Sequence, residues 1–370
     1  MKVEEEIVSA LLKWYGMHKR DLPWRENKDP YRIWISEIML QQTRVEAVKP
    51  YFYRFMEKLP DVYALAACEE ELLLKLWEGL GYYNRARNLK KAAELIVKEY
   101  GGRFPTSYEE LLKLPGIGSY TAGAIASIAF DLPYPAVDGN VMRIFARLTG
   151  DDSNILNEKT KREMQGKLSC IMPEKRSGDV NQAFMDLGAG ICIPNGKPDC
   201  VICPLVDFCR AYKENRTEEL PVRLKKTKRR VEKRTVLVLR DGELLALRKR
   251  PEKGLLAGLY ELPNFEGWLD EKEVLALIEE RNMTPLRILP LKNSVHRFSH
   301  VEWKMIGYAV WVAELDQKPE DNFLFVKIEN AEKQHAIPSA FAAYAEYVHL
   351  EIGKNKYKDL ILIENGREKL

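Results

Sequence analysis

Hydrophobic residues recur at helical spacing through about the first 215 residues, and no strand-like alternation competes there. The clearest helix opens at Asp29-Pro30, an N-cap followed by proline at the first helical position, and runs through Ile33 to Leu40. This half is therefore predicted to be almost all helix. Further helices are expected over 5–17, 44–57, 69–77, 85–100, 108–113, 119–130, 140–148, 158–171 and 180–189.

The pattern changes after a basic segment, 222–235, which holds one acidic residue, Glu232, and reads as a linker with solvated or phosphate-contacting charges. Beyond it, two alternating runs flank Asp241-Gly242, which predicts a β-hairpin. The chain is thus divided into a helical domain over 1–221 and an α+β domain over 236–370. In the second domain we expect strands at 236–240, 244–248, 286–291, 301–313 and 323–328, and helices at 271–281 and 338–349.

A chain of 370 residues accommodates two or three domains with full cores. Its 58 Lys and Arg against 55 Asp and Glu give a net charge of only +3, so nucleic-acid binding has to be argued from local features. No apolar run approaches membrane-spanning length, and the charged residues 1–6 do not match a secretory signal. We expect a soluble, cytoplasmic protein without a membrane partner.

The segment from Leu114 to Asn140 carries a candidate nucleic-acid contact. Gly116 and Gly118 lie in a Leu-Pro-Gly-Ile-Gly turn between two helical patterns, where free backbone N–H groups suit a phosphate. About twenty residues later, Asp138 follows a proline-bounded loop at the start of another helix. The arrangement indicates chemistry on a nucleic-acid backbone or sugar; the alternative is an ordinary helix-turn-helix joint with a solvated aspartate.

Glu37 lies on the apolar stripe of its predicted helix, so burial should raise its pKa and let it donate a proton near neutral pH. Asp138, beside helix N-terminal N–H groups, should instead stay ionised. Two carboxyls whose pKa values are shifted in opposite directions form the acid and anion that cleavage through an oxocarbenium-like transition state requires. The alternative for Glu37 is a structural ion pair with Arg25 or Arg44.

Four cysteines fall within eighteen residues, at Cys192, Cys200, Cys203 and Cys209. Disulfides are disfavoured in a cytosolic chain, so metal ligation is the leading interpretation. Zinc sites usually contain two pairs of cysteines, each pair separated by two to four residues, whereas this segment has only one such pair. The spacing therefore favours an iron–sulfur cluster over zinc.

Taken in order, the motifs resemble the MutY family of adenine DNA glycosylases, in the helix-hairpin-helix, endonuclease III-like superfamily. The resemblance implies a multidomain protein: an all-α helix-hairpin-helix glycosylase domain with a four-cysteine iron–sulfur loop (192–209) holding a 4Fe-4S cluster, and an α+β Nudix-like C-terminal domain. It implies a monomeric, nucleoid-associated enzyme of bacterial type that flips adenine mispaired with 8-oxoguanine or guanine out of double-stranded DNA. The motifs are Leu22–Arg25, Ser36–Thr43, Gly79–Tyr83, Leu114–Gly118, Val137–Val141 and the four cysteines.

By position, the resemblance implies that Glu37 protonates adenine N7 and that Asp138 stabilises, or transiently bonds to, the sugar carbon C1′. Bifunctional relatives carry a lysine where this chain has Tyr120, which cannot form a Schiff base, so hydrolysis by water is expected. Other roles are also implied: support of the two carboxyls (Tyr120, Asn140), the adenine pocket (Arg25, Gln182), filling of the opened base stack (Gln42, Leu80, Tyr82) and backbone contact to DNA (Gly116, Gly118).

The second domain resembles a Nudix domain, but Leu275-Ala276 occupy positions where the metal-binding pattern of that family has Arg-Glu. Recognition is therefore expected there rather than hydrolysis. The segment His296–His300 resembles the MutY loop that inspects 8-oxoguanine, with Phe298 stacking and Ser299 and His300 offering polar contacts. One departure lies in the cysteine segment, where seven residues separate Cys192 from Cys200 instead of the family's usual six.

Parts of the sequence are also compatible with two other functions. One is a glycosylase of the same fold acting on thymine or an oxidised pyrimidine, which Tyr120 and the 298–300 loop disfavour. The other is a non-catalytic binder of damaged DNA, which the pairing of Glu37 with Asp138 disfavours.

Overall fold

The fold was obtained as a computed structural model that describes residues 2–224, 229–313 and 323–352. The chain divides into two compact units. The first comprises Met1–Ala67 and Asn88–Lys226, and the second comprises Cys68–Arg87 and Thr227–Leu370. This division differs from the contiguous 1–221 domain predicted from sequence, because residues 68–87 group with the C-terminal part of the chain.

The predicted helices of the first half are confirmed, with small shifts at their ends. The opening of the second helix forms as expected: Asp29 is the N-cap, its side chain accepts a hydrogen bond from the Tyr31 amide, and Pro30 is the first helical residue. In chain order the helices are α1 (Lys2–His18), α2 (Pro30–Leu40), α3 (Val45–Lys58), α4 (Val62–Ala67), α5 (Glu70–Leu76), α6 (Asn84–Tyr100), α7 (Tyr108–Leu111), α8 (Ser119–Phe130), α9 (Gly139–Thr149), α10 (Glu158–Ser169), α11 (Ser177–Gly190) and α12 (Arg210–Lys213).

Helix α8 is the central helix of the first unit and packs against α2, α7 and α11. It is rich in small residues, and every position from Thr121 to Ile128 is buried. A Cβ on Gly123 would lie 2.4 Å from the Pro135 carbonyl oxygen, so only glycine lets the 135–136 backbone approach this closely. A second apolar cluster joins α1, α9, α10 and α11. The helices that carry the candidate site are therefore fixed against one another.

The second unit contains a seven-stranded mixed sheet. Its main path has the order β3-β2-β1-β6-β5, with β4 paired to β1 and β7 to β2. The hairpin predicted at Asp241-Gly242 is confirmed: β1 and β2 pair antiparallel with Asp241 opposite Leu244. The strands are β1 (Arg230–Asp241), β2 (Leu244–Lys249), β3 (Tyr260–Glu261), β4 (Asn264–Glu266), β5 (Thr284–Arg297), β6 (Val301–Ala313) and β7 (Phe323–Lys327).

Helices pack on this sheet; α14 was not predicted, and one of the two predicted helices differs from prediction. The helix expected over 338–349 is instead a 3-10 turn, a short α-helix and a second 3-10 turn. No helix in the described ranges has the length and apolar character needed to cross a bilayer. The helices of this unit beyond α5 are α13 (Glu271–Glu279), α14 (Ile328–Gln334) and α15 (Ala342–Ala345).

The predicted linker 222–235 is wrong over its last six residues, which belong to β1 and pair in parallel with β6. The positive charges there have a partner: the Glu232 carboxylate accepts hydrogen bonds from Arg230, Arg234 and the Trp303 indole. Charge density predicted a linker with solvated or phosphate-contacting charges, whereas the backbone ladder and this shared carboxylate stabilise a strand.

Candidate active site

One cavity of about 450 Å³ in the first unit brings together side chains that are far apart in sequence. It is formed by α2, the start of α8, the start of α9 and one face of α11. Seven of the residues singled out from the sequence line it: Arg25, Glu37, Gln42, Tyr120, Asp138, Asn140 and Gln182.

Glu37 lies on the buried side of α2 with only 4% of its surface exposed. The Tyr120 hydroxyl, from the first turn of α8, donates a hydrogen bond of 2.5 Å to Glu37 Oε2. Burial raises the pKa of Glu37 to about 7, and the nearby Asp138 charge adds to the rise while the Tyr120 hydrogen bond opposes it. The side chain can therefore hold a proton at neutral pH, as its place on the apolar stripe predicted.

Asp138 is the N-cap of α9. Its Oδ1 accepts hydrogen bonds of 2.8 Å from the amides of Asn140 and Val141, and its Oδ2 accepts one of 2.9 Å from Asn140 Nδ2. These three bonds leave the carboxylate one orientation. Burial nevertheless outweighs them and raises the pKa of Asp138 above its ordinary value. The prediction that the two pKa values shift in opposite directions is therefore wrong, because desolvation acts on both carboxyls.

The hydrogen bonds still distinguish the two carboxyls. Asp138 accepts three N–H donors that favour its anion, whereas Glu37 accepts one hydroxyl. Because the two charges repel each other, the pair is most stable with one proton, and that proton belongs on Glu37. The site therefore holds an acid and an anion, set apart by hydrogen bonding rather than by opposite pKa shifts.

A carboxylate missed by the sequence reasoning, Asp186, anchors Arg25. The Arg25 guanidinium forms a bidentate pair with it, with N···O distances of 2.8 and 2.9 Å, and Arg20 Nε donates to the same carboxylate at 2.7 Å. These bonds hold the pKa of Asp186 below its ordinary value despite burial. Arg25 is thus fixed by Asp186, not by the Glu37 pair considered from sequence. The sequence does contain a feature that could have indicated Asp186: it is an acidic residue one helical turn after Gln182, among apolar neighbours on α11.

The predicted phosphate-binding turn leads directly into α8. Gly116 has φ +78°, and a Cβ there would lie 2.6 Å from Asn88 Cβ, so the turn requires glycine. Gly118 is the N-cap of α8 and brings no side chain to its first N–H groups. Neither glycine lines the cavity, but the helix that they start carries Tyr120 into it.

The remaining sequence-predicted residues lie in the second unit. Leu80 is buried, and Tyr82 is half exposed with a left-handed backbone at φ +47°. The Phe298 ring packs edge-on against Trp303 at 5.0 Å, which holds it against the sheet. Ser299 and His300 are exposed at the tip of the β5–β6 turn.

The four cysteines of the 192–209 segment line one small cavity in the first unit. Arg147 Nη1 donates to Cys192 Sγ at 3.2 Å, and Cys209 Sγ donates to the Arg147 carbonyl oxygen at 3.5 Å. Burial raises the pKa of Cys203 to about 12. Across the described ranges, no three His, Cys, Asp or Glu side chains are placed to hold a single metal ion.

Comparison with known proteins identifies the family. Residues 35–170 match the HhH-GPD superfamily of base excision DNA repair proteins, and residues 235–347 match the NUDIX domain. The adenine DNA glycosylase of Buchnera aphidicola subsp. Schizaphis graminum is 36% identical over 301 residues, which cover 81% of this chain and 86% of that protein. The chain belongs to the adenine DNA glycosylase family. The human adenine DNA glycosylase is 34% identical, over 81% of this chain and 66% of its own.

The solved structure of a thermostable thymine-DNA glycosylase matches 58% of this chain and 98% of its own, with 31% identity and a TM-score of 0.53. The helix-hairpin-helix domain and the Nudix-like C-terminal domain expected from sequence are thereby confirmed. The chain is a DNA-binding glycosylase of base excision repair that acts on adenine.

Proposed function

We propose that this adenine DNA glycosylase removes adenine opposite 8-oxoguanine, and more slowly opposite guanine, by hydrolysis without a lyase step. The observation that carries the proposal is the hydrogen-bonded pair of Tyr120 and Glu37 in the same cavity as Asp138. The proposal includes action as a monomer on mispaired duplex DNA, with the adenine flipped into this cavity.

In the proposed reaction, protonated Glu37 transfers its proton to N7 of the flipped adenine. The C1′–N9 bond breaks, its electron pair leaves with the base, and positive charge develops on the sugar. The Asp138 anion, fixed by three hydrogen bonds, stabilises that charge. Water adds at C1′ and loses a proton, which leaves an abasic site and free adenine.

Tyr120 is the reason for proposing hydrolysis alone. A lyase step needs an amine that attacks C1′ and forms a Schiff base, and the hydroxyl at position 120 is instead engaged with Glu37. Borohydride should therefore trap little covalent enzyme–DNA product. Trapping as efficient as that of a lyase would refute the monofunctional assignment.

Single-turnover base release on A:8-oxoG, A:G, A:C and T:G duplexes tests the substrate. Glu37→Gln should abolish release while retaining duplex binding, since an amide does not donate the proton. Asp138→Asn should be severely impaired for lack of the anion. Glu46→Gln, in an exposed α3 ion pair with Lys49, is the matched control and should match wild type. Release of thymine from T:G, or retained activity in Glu37→Gln, would overturn the proposal.

We assign reading of 8-oxoguanine to the tip of the β5–β6 turn. The oxidised base differs from guanine at O8 and at the hydrogen on N7, so discrimination needs few hydrogen bonds, each about 1–3 kcal/mol. Ser299 is exposed, and its hydroxyl both donates and accepts. Replacing Phe298 and Ser299 by alanine should reduce the preference for A:8-oxoG over A:G without changing adenine specificity. An unchanged preference would place lesion reading elsewhere.

A 4Fe-4S cluster on Cys192, Cys200, Cys203 and Cys209 completes the proposal. The donor set fits: four thiols share one cavity, and the Arg147 guanidinium beside Cys192 favours a negatively charged group there. When bound, the cluster would supply structural cross-linking of 192–209. Purified protein should be brown with about four irons per chain, and Cys200→Ser should lower soluble yield. A colourless preparation with one zinc, made anaerobically with ample iron, would refute the cluster.

A further inference from the structure

The segment Cys68–Arg87 lies within the helical domain in sequence, yet it groups with the second unit. It contains Glu78, a carboxylate with 0% of its surface exposed. A fully buried carboxylate is rare unless its hydrogen bonds are satisfied, so its partners indicate what it holds in place.

Glu78 joins the end of α5 to a loop of the C-terminal part of the second unit. One carboxylate oxygen, Oε1, accepts a 3.0 Å hydrogen bond from the Ile337 amide, and the other, Oε2, accepts 2.7 Å from Lys75 Nζ. Lys75 Nζ also donates to the His335 carbonyl oxygen at 2.9 Å. The Lys75–Glu78 ion pair therefore binds a backbone amide and a backbone carbonyl, two residues apart on the same loop, through charge-assisted hydrogen bonds.

Further contacts hold the segment at its two ends. Near the start, the Glu71 carboxylate accepts from Lys249 Nζ at 3.3 Å and from the Tyr260 hydroxyl at 3.0 Å. At the end, Arg87 Nη2 donates to the Ala257 carbonyl oxygen at 2.8 Å. Gly258 has φ +64°, a backbone conformation that favours glycine, and a Cβ there would lie 2.5 Å from Arg87 Nη2 and push the guanidinium aside.

Side chains on both sides hold the backbone of the turn that follows Glu78. The Trp77 indole donates to the Gly81 carbonyl oxygen at 3.1 Å, and Arg85 Nη2 donates to the carbonyl oxygens of both Leu80 and Gly81 at 3.0 Å. Arg85 also lies over the Trp77 and Tyr82 rings. Because its backbone is held by side chains on either side, the turn should follow the position of Glu78 instead of flexing independently.

We infer that Glu78 is a positioning residue that fixes the Leu80–Tyr82 turn to the Nudix-like domain. The position of the domain that reads the lesion then determines the position of the residues that fill the opened base stack. This inference rests on the proposed function, in which the 298–300 turn reads 8-oxoguanine, and on the stack-filling role that the family resemblance implies for Leu80 and Tyr82. The carboxylate suits the task because one group satisfies both a backbone amide and a buried cation.

The test compares full-length Glu78→Gln and Lys75→Met with wild type in single-turnover adenine release from A:8-oxoG and A:G duplexes. Both variants should lower the rate ratio of A:8-oxoG to A:G by at least about fivefold and keep the A:G rate within about twofold of wild type. Lys75→Arg, which retains donors to both partners, should largely preserve the ratio. Glu158→Gln, in an exposed i,i+3 pair of α10, is the matched control and should behave as wild type.

Hydrogen exchange gives a readout independent of the mispair. Peptides covering 79–83 and 335–337 should lose protection together in Glu78→Gln, because the carboxylate links both. Folded variants with a wild-type ratio, or with both rates lowered equally, would overturn the inference, as would exchange unchanged at 79–83. If Glu78→Gln is insoluble, the rate ratio and the hydrogen exchange are both measured on Lys75→Met. A wild-type enzyme without preference for A:8-oxoG refutes the proposed function instead, and the exchange result then still decides whether Glu78 holds the turn.

Discussion

Removing the Tyr120 hydroxyl should shift the pH dependence of catalysis in a direction that the structure fixes. The hydroxyl donates to Glu37 Oε2 at 2.5 Å and opposes the rise in pKa caused by burial. In Tyr120→Phe this donor to the anion is lost, so the protonated acid is favoured and the pKa of Glu37 rises further above about 7. Catalysis that needs protonated Glu37 should then persist to higher pH.

A hydrogen bond to a charged group contributes about 1.5–3 kcal/mol, and one pKa unit corresponds to about 1.4 kcal/mol. Because water entering the open cavity replaces part of the lost bond, we expect the lower value, a shift of about one pH unit. Single-turnover adenine release should therefore decline above about pH 7 in wild type and above about pH 8 in the variant. The control is Tyr134→Phe, whose hydroxyl contacts exposed Glu109 at 3.3 Å. An unchanged or lowered midpoint in Tyr120→Phe would refute the reasoning.

Three stability predictions follow from single contacts, each checked by denaturant unfolding. Gly123→Ala should cost about 1–3 kcal/mol because its Cβ would meet a carbonyl oxygen, whereas Gly166→Ala in α10, with open space around it, should be neutral or slightly stabilising. Asp186→Asn should lose about 3 kcal/mol at pH 7, and the loss should shrink toward acid because the lowered pKa of Asp186 makes its contribution disappear on protonation. Glu37→Gln should be more stable than wild type by up to about 3 kcal/mol at pH 8.5. That gain should vanish near pH 4. In wild type, the raised pKa of Glu37 makes this side chain stabilise the fold fully below its unfolded pKa of 4.5, and the stabilisation is lost as pH rises through about 7. A change in unfolding free energy that is the same at acid pH as at neutral or alkaline pH would contradict the predictions for Asp186→Asn and Glu37→Gln.

The sequence alone determined the features that depend on neighbours along the chain. The N-cap at Asp29 and the spacing of apolar residues on α2 were enough to place Glu37 on a buried face. The Asp241-Gly242 pair was enough to predict the β1–β2 hairpin. The clustering of four cysteines within eighteen residues was enough to bring them to one cavity. Capping, periodicity and turn preference act over a few residues, so a single chain displays them directly.

Only the tertiary structure decided the features that depend on distant partners. The hydroxyl that Tyr120 offers to Glu37 comes from 83 residues away, and the Asp186 carboxylate that fixes Arg25 from 161 residues away. The pKa of Asp138 was predicted wrongly because helix N-terminal amides are visible in a sequence, whereas the depth of burial that outweighs them depends on how α2, α8, α9 and α11 pack.

The same physical reason applies to the basic segment and to residues 68–87. Residues 230–235 form a strand because β6, about 70 positions later, supplies the backbone with which they pair. A run of charged residues contains no local pattern that predicts this pairing. Residues 68–87 have ordinary helical periodicity, yet a buried carboxylate at Glu78 is satisfied by an amide 259 positions away. Local patterns determine which elements form. The burial and pairing of a few long-range polar groups decide which of those elements share a unit and how the acid and the anion are set apart.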